Sequence, residues 1–285
     1  MITSKRKFSG HTPTWCPGCG DWAIGGAIKE ALAKQDLEPS TVGVVFGIGC
    51  SGNMNDFLNA YGFHALHGRA IPTAVGLKLS NHTMPTIVVA GDGDTYGEGG
   101  NHFFHACRGN HDLTIIVHDN GVYGLTTGQV APTAKKGTIS KSTPTGIIER
   151  SVSPLAFAIS QGATFVAQSF AGDIPHIREM IVLGMKHKGL SLVNVLQPCV
   201  SFNWVNTYQY YQKNAYKLDS SYDPSSYEDA LIKAVEMDSE KFPLGVIYQT
   251  ESKPYHEQVP AYSESKPLNQ IPRIASLQPL FEEYK

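Results

Sequence analysis

The side chains best placed to do chemistry in this sequence are cysteines, aspartates and one asparagine. Cys16 and Cys19 stand in a loop of proline and glycine, Cys16-Pro17-Gly18-Cys19. That CxxC spacing lets two thiolates face one metal. Cys50 follows one apolar run, residues 41–48, and Cys199 follows another, residues 192–196. Four thiolates can hold a structural Zn²⁺ or a cubane 4Fe–4S cluster, and CxxC alone does not choose between them. A zinc ribbon would use a second CxxC, which the sequence lacks. In a thioredoxin-like redox pair CxxC opens a helix after a strand, and no strand is expected before Cys16. Cys107 sits in an apolar helical stretch and reads as a buried small residue.

Asp92 lies in Gly91-Asp92-Gly93-Asp94, directly after the apolar run 86–90. Asn120 lies after the next such run, 113–117. Residues 94–119 suffice for one helix and one strand, so adjacent parallel strands would bring Asp92 and Asn120 together. A carboxylate oxygen, an amide oxygen and a nearby backbone carbonyl make an all-oxygen half-site. Such a half-site suits Mg²⁺, which takes an octahedron of oxygens and shares it with a substrate or cofactor diphosphate. Gly91 and Gly93 let backbone N–H groups approach phosphate oxygens. Taken alone, the motif could equally be an acidic glycine turn without a ligand. An EF-hand starting at Asp92 fails, because Tyr96 and Phe103 fall where ligands are needed.

The elements that must position these residues read as alternating strands and helices. Residues 20–34 carry helical spacing at Trp22, Ile24, Ala27, Ile28 and Leu32. Buried strands are expected at 41–48, 86–90, 113–117, 163–167 and 192–196. Helices are expected at 73–79, 101–108 and 174–187, and an exposed loop at 131–145. After Cys199 the pattern loosens to a helix near 227–236 and a strand near 244–249. Short apolar strands alternating with helices describe an α/β fold, a mostly parallel sheet flanked by helices. In such sheets ligands bind outside the carboxyl ends of the strands, where these glycines, acids and cysteines fall.

Composition bounds the partners. Twenty-three basic against 25 acidic residues give a net charge of −2, so there is no electrostatic footprint for nucleic acid or an anionic membrane. With 41% hydrophobic and 17% charged residues, the chain is neither disordered nor a disulfide scaffold. Lys5, Arg6 and Lys7 are not followed by an apolar segment, so no signal peptide is expected. No apolar stretch has the length of a membrane span. A cytoplasmic location with reduced thiols is the expectation. Of 28 glycines, 21 precede residue 131, which suits close backbone approach to a ligand. Of 13 tyrosines, 10 follow residue 205, including Tyr208, Tyr210, Tyr211 and Tyr216, which suits a subunit contact.

Taken in order, WCPGCGDW, GIGCSG, HGRA, GDGD with GGNHF, DNGVYGLTTGQ and LQPCVSFN resemble the thiamine diphosphate-binding beta subunit of 2-oxoacid:ferredoxin oxidoreductases. The resemblance runs from about residue 12 to residue 216. It implies the thiamine diphosphate-binding fold of the diphosphate-binding type. It implies CoA-dependent oxidative decarboxylation of a 2-oxoacid to acyl-CoA and CO₂, with electrons passing through one 4Fe–4S cluster to ferredoxin. Cys16, Cys19, Cys50 and Cys199 fall on the family's cluster ligands. Asp92, Asn120 and the backbone carbonyl of Val122 fall on its Mg²⁺ ligands. Ile48, Gly49, Cys50, Ser51, Gly91, Gly93, Asp94, Gly124 and Leu125 fall on thiamine diphosphate contacts, with His67 a further contact near the thiazolium. Cys50 in both sets would place an electron acceptor beside the cofactor, which disfavours zinc, an ion without redox chemistry.

The resemblance also implies what must come from elsewhere. Thiamine enzymes use a glutamate opposite the aminopyrimidine, and this chain has room for only one such domain. A larger alpha subunit is therefore expected to supply that glutamate and most substrate contacts, in a heterodimer or heterotetramer, and no catalytic residue is assigned in this chain. Residues 1–204 read as the cofactor-binding domain and 205–285 as an extension packed on it and on the partner. Thr127, in GLTTGQ, stands where relatives often carry Lys, which weakens the case for 2-oxoglutarate without establishing pyruvate. The competing readings are a non-redox thiamine-dependent decarboxylase or ligase subunit and a structural zinc-binding interaction module.

Overall fold

The computed structural model describes residues 5–262 and 278–283. Its strands are β1 (Gly43–Phe46), β2 (Tyr61–His64), β3 (Thr86–Gly91), β4 (Thr114–Asp119), β5 (Val122–Tyr123) and β6 (Gln129–Val130). They continue with β7 (Phe165–Phe170), β8 (Ser191–Leu196), β9 (Ala215–Lys217) and β10 (Phe242–Gln249). Among the described residues, eight of these form one sheet in the order β2-β1-β3-β4-β8-β7-β10-β9. From β2 to β7 every pairing is parallel, while β10 runs antiparallel to β7. β5 and β6 make a separate antiparallel hairpin.

The apolar runs become strands because both faces of the sheet are covered. Helices Asp21–Lys34 and Ile174–Lys186 bury Ile24, Ile28, Ile177 and Ile181 against Val44, Val89 and Ile116. On the other face, helices Ala70–Ser80, Gly100–Gly109, Pro154–Ser160 and Tyr227–Val235 cover Val45, Val88, Ile115 and Val117. Neighbours along one strand thus serve opposite cores, as the period of two requires. Ile116 is fully buried at the centre. Ile116→Ala is expected to cost about 2–5 kcal/mol, read as a lower midpoint in denaturant melting followed by circular dichroism.

Three departures from the sequence expectations have physical causes. β7 begins at Phe165, because a turn at residues 161–162 precedes it and the Thr164 hydroxyl donates to Asn110 Oδ1 at 2.9 Å. β2 was not expected, since an exposed edge strand carries no buried pattern. Tyr211 packs with Phe170, Leu196, Phe242 and Leu244 in a third core cluster, so it is interior, while Tyr208, Tyr210 and Tyr216 are half-buried. Among the described residues, no helix is long and apolar enough to cross a membrane.

β1, β3, β4 and β8 are consecutive in the sheet. Their carboxyl ends deliver Cys50, Asp92, Asn120 and Cys199 to one edge.

Candidate functional site

Asp92 does not sit in an open loop. It caps a single turn of π-helix, Gly93–Glu98, that follows β3. Such turns concentrate at functional sites. Gly93 is required there, because a Cβ would collide with the Tyr123 ring that closes over the turn. The Asp94 carboxylate is buried and ties three segments together. Its Oδ1 accepts from Gly68 N–H at 2.9 Å and from Ile48 N–H at 3.2 Å, and lies 2.9 Å from His67 Nδ1.

Asp92 Oδ2 accepts from Gly121 N–H at 2.9 Å and from the Thr133 hydroxyl. This ties the end of β3 to the end of β4. Asn120 Oδ1 accepts from Val122 N–H at 2.9 Å, and its Nδ2 donates to Gln197 Oε1 at 2.7 Å. Asp92 and Asp119 are both buried, and burial raises both carboxyls above the usual range; the neighbouring Asp119 charge raises Asp92 further. Asp92 faces one space with Asn120 and Val122, and a buried carboxyl raised in this way, beside an amide oxygen and a backbone carbonyl, is a donor set that a hard divalent cation would relieve. The residues present therefore fit Mg²⁺.

Ile48, Gly49, Cys50, Ser51, His67, Gly91, Gly93, Asp94, Gly124 and Leu125 line one cavity, together with Asp92, Asn120 and Val122. Every residue expected at the cofactor or at Mg²⁺ thus faces one space. A second cavity is lined by Cys16, Cys19, Cys50 and Cys199. Asp21, Cys50, Asn120, Gly124 and Leu125 belong to both. A Cβ on Gly124 would sit 3.5 Å from Cys50 Sγ and 3.6 Å from Cys199 Sγ, so a side chain there would fill the space between the thiols.

The two tryptophans of WCPGCGDW hold this arrangement. Trp15 Nε1 donates to Cys50 O at 2.7 Å, and Trp22 Nε1 donates to Cys16 O at 3.1 Å. Their rings meet edge to face at 5.7 Å. Burial first, then the Asp21 carboxylate, pushes the Cys19 thiol well up and the Cys50 thiol to about 12; burial also raises Cys199. A reactive thiolate would be shifted the other way, so burial leaves Cys19, Cys50 and Cys199 poor free nucleophiles. Among the described residues, no three His, Cys, Asp or Glu side chains converge tightly enough for a single ion.

Sequence reasoning missed several site residues. His118 Nδ1 and Asp21 Oδ1 lie 2.6 Å apart, and both residues are buried and line the first cavity. His118 Nε2 is buried and has no hydrogen-bond partner among the described residues, so it is available to a bound cofactor. Thr133 and Gln197 were also not singled out. The one signal was His118 itself, a polar residue at the end of an apolar strand. Cys107 is buried in the core. Thr127 is exposed and has a positive φ of 75° at the rim of the cysteine cavity.

Residues 47–195 match the family profile for the C-terminal TPP binding domain of thiamine pyrophosphate enzymes. Fold and strand-end site thus define a thiamine diphosphate-binding domain. Residues 199–264 match the C-terminal profile of the pyruvate ferredoxin oxidoreductase beta subunit. The chain is 44% identical over 274 residues to the 2-oxoacid:ferredoxin oxidoreductase subunit beta of Saccharolobus solfataricus, covering 90% of each. It is 40% identical to subunit beta of 2-oxoacid:ferredoxin oxidoreductase 1 of Aeropyrum pernix, covering 94% of this chain and 87% of that one. A solved structure, the 2-oxoglutarate:ferredoxin oxidoreductase from Magnetococcus marinus with 2-oxoglutarate, coenzyme A and succinyl-CoA bound, superposes with a TM-score of 0.88 at 32% identity. That match covers 99% of this chain and 96% of the other. The chain belongs to the beta subunits of the 2-oxoacid:ferredoxin oxidoreductases.

Proposed function

We propose that this chain, with a larger alpha subunit, carries out CoA-dependent oxidative decarboxylation of a 2-oxoacid and passes the electrons to ferredoxin. The observation that carries the reading is the sharing of Cys50 and Gly124 between the glycine-lined cavity and the four-cysteine cavity. Asp92, Asn120 and the Val122 carbonyl would hold Mg²⁺. Cys16, Cys19, Cys50 and Cys199 would hold one 4Fe–4S cluster. Thiamine diphosphate, when bound, supplies the nucleophilic carbon and the electron sink for decarboxylation, and the cluster supplies a one-electron acceptor.

The remaining steps belong to the protein. The backbone at Gly49 can approach the diphosphate because nothing lies within 4 Å of where its side chain would be. His118, held by Asp21, presents an unpaired ring nitrogen at the cavity wall. Asp94 keeps His67 and the loop after β1 in register. The activating glutamate is expected on the alpha subunit. Residues 1–204 act as the cofactor-binding unit, and 205–285 as an extension that also meets the partner. The location is taken as cytoplasmic, where ferredoxin and CoA are available.

The test is anaerobic co-purification with the alpha subunit and an assay of ferredoxin or viologen reduction across a panel of 2-oxoacids. Reduction that needs CoA and about four Fe per chain support the reading. One zinc and no iron would sink the redox claim.

A further inference from the structure

We propose that Gln197 is a positioning residue that couples the cluster side of the site to the metal side. This rests on the proposed roles of Cys19 in the cluster and Asn120 at Mg²⁺. Gln197 is fully buried at the end of β8. Its backbone is fixed independently, since Gln197 N–H donates to Asp119 O at 2.8 Å and Gly20 N–H donates to Pro198 O at 3.2 Å. Gly20 comes so close that a Cβ there would lie 2.7 Å from Gln197 Cγ.

The side-chain amide makes three hydrogen bonds. Nε2 donates to Pro198 O at 3.0 Å and to Cys19 Sγ at 3.1 Å. Oε1 accepts from Asn120 Nδ2 at 2.7 Å, and Asn120 Oδ1 accepts from Val122 N–H at 2.9 Å. The direction of this relay is fixed at both ends. The Pro198 carbonyl can only accept, and the Val122 N–H can only donate. Flipping either amide would set like groups against each other. The relay therefore keeps Asn120 Oδ1 turned away from Gln197, where it can serve a cation, and aims an N–H at Cys19 Sγ.

That N–H bears on electron transfer. A hydrogen bond to a ligand sulfur draws charge from it and favours the reduced, more negative cluster, and such bonds are one lever on cluster potential. One uncharged side chain thus sets both the orientation of a metal ligand and the ease of reducing the acceptor beside it.

The test uses the anaerobically assembled heteromer. Cluster potential is read by redox titration followed by electron paramagnetic resonance, and thiamine diphosphate affinity by titration of stripped enzyme with Mg²⁺. Gln197→Glu keeps an oxygen toward Asn120, loses the N–H toward Cys19 and adds a negative charge, and both changes disfavour the reduced cluster. It should lower the reduced-to-oxidised ratio at fixed poise about tenfold, about 59 mV for one electron, with affinity held within about twofold. Gln197→Leu loses both contacts, and should lower the potential similarly and weaken affinity about tenfold. Unchanged potential in both variants, with wild-type iron content, would overturn the coupling. So would loss of iron in Gln197→Leu beside a wild-type potential in Gln197→Glu, which marks a packing role only. A wild-type complex without iron would instead fail the cluster reading itself, and the coupling with it.

Discussion

Asp92→Ala should abolish retention of thiamine diphosphate by the assembled enzyme. Asp92 is the charged member of the oxygen set at the ends of β3 and β4. Its removal takes away the Coulombic attraction for Mg²⁺ and the acceptor of the Gly121 and Thr133 hydrogen bonds. Loss of a supporting partner of a metal ligand already costs about 10–100-fold in affinity, so loss of the charged ligand should cost at least that. Leaving the Gly121 N–H unsatisfied costs about 1–3 kcal/mol, but removing a buried carboxyl relieves desolvation, so the fold should survive. Asp92→Asn keeps the shape and one acceptor oxygen without the charge, and should fall between the two. Cofactor content after gel filtration in Mg²⁺ buffer decides the matter. Wild-type retention by Asp92→Ala would refute the Mg²⁺ assignment.

The sequence pattern revealed most of the sheet because its central strands are buried on both faces. The runs that became β1, β3, β4 and β8 needed no alternation to be read, and their ends located the loops of Cys50, Asp92, Asn120 and Cys199. β2 escaped because an edge strand with Tyr61 and Phe63 largely exposed looks like a loop. The C-terminal β10 was read near 244–249 and begins two residues earlier, whereas β9 escaped because it is only three residues long. Spacing brought Asp92 to Asn120, because adjacent parallel strands enforce it. It did not reveal the pairing of Asp21 with His118, or the contact of Gln197 with Cys19. Those contacts join the amino-terminal helix to distant strand ends, and only the packing of helix Asp21–Lys34 on the sheet creates them. Asp94 shows a further limit. It lines the first cavity, yet its hydrogen bonds go to the protein's own loops.

Cys50→Ser should separate electron transfer from cofactor binding. The loop that carries Cys50 is held by contacts that do not involve its sulfur. Trp15 Nε1 grips the Cys50 carbonyl, Ile48 N–H is fixed by Asp94, and Asn53 N–H donates to Gly49 O at 3.1 Å. Replacing sulfur by oxygen therefore leaves the backbone beside the thiamine cavity in place. What is lost is one of four thiolates and the soft donor that an iron–sulfur cluster prefers. Iron should fall from about four per chain toward zero. Acceptor reduction should fall by more than the roughly 10–100-fold that a weakened metal environment costs. Thiamine diphosphate retention should change little, because Asp92, Asn120 and Val122 are untouched. Release of CO₂ from the 2-oxoacid should fall less than reduction of the acceptor, since decarboxylation needs the cofactor and not the cluster. The two readouts must part for the shared position of Cys50 to mean what its geometry suggests. If cofactor and iron are lost together, the cysteine serves only to hold the loop. If iron and reduction both persist, the cluster is ligated elsewhere, and the four-cysteine cavity has another use.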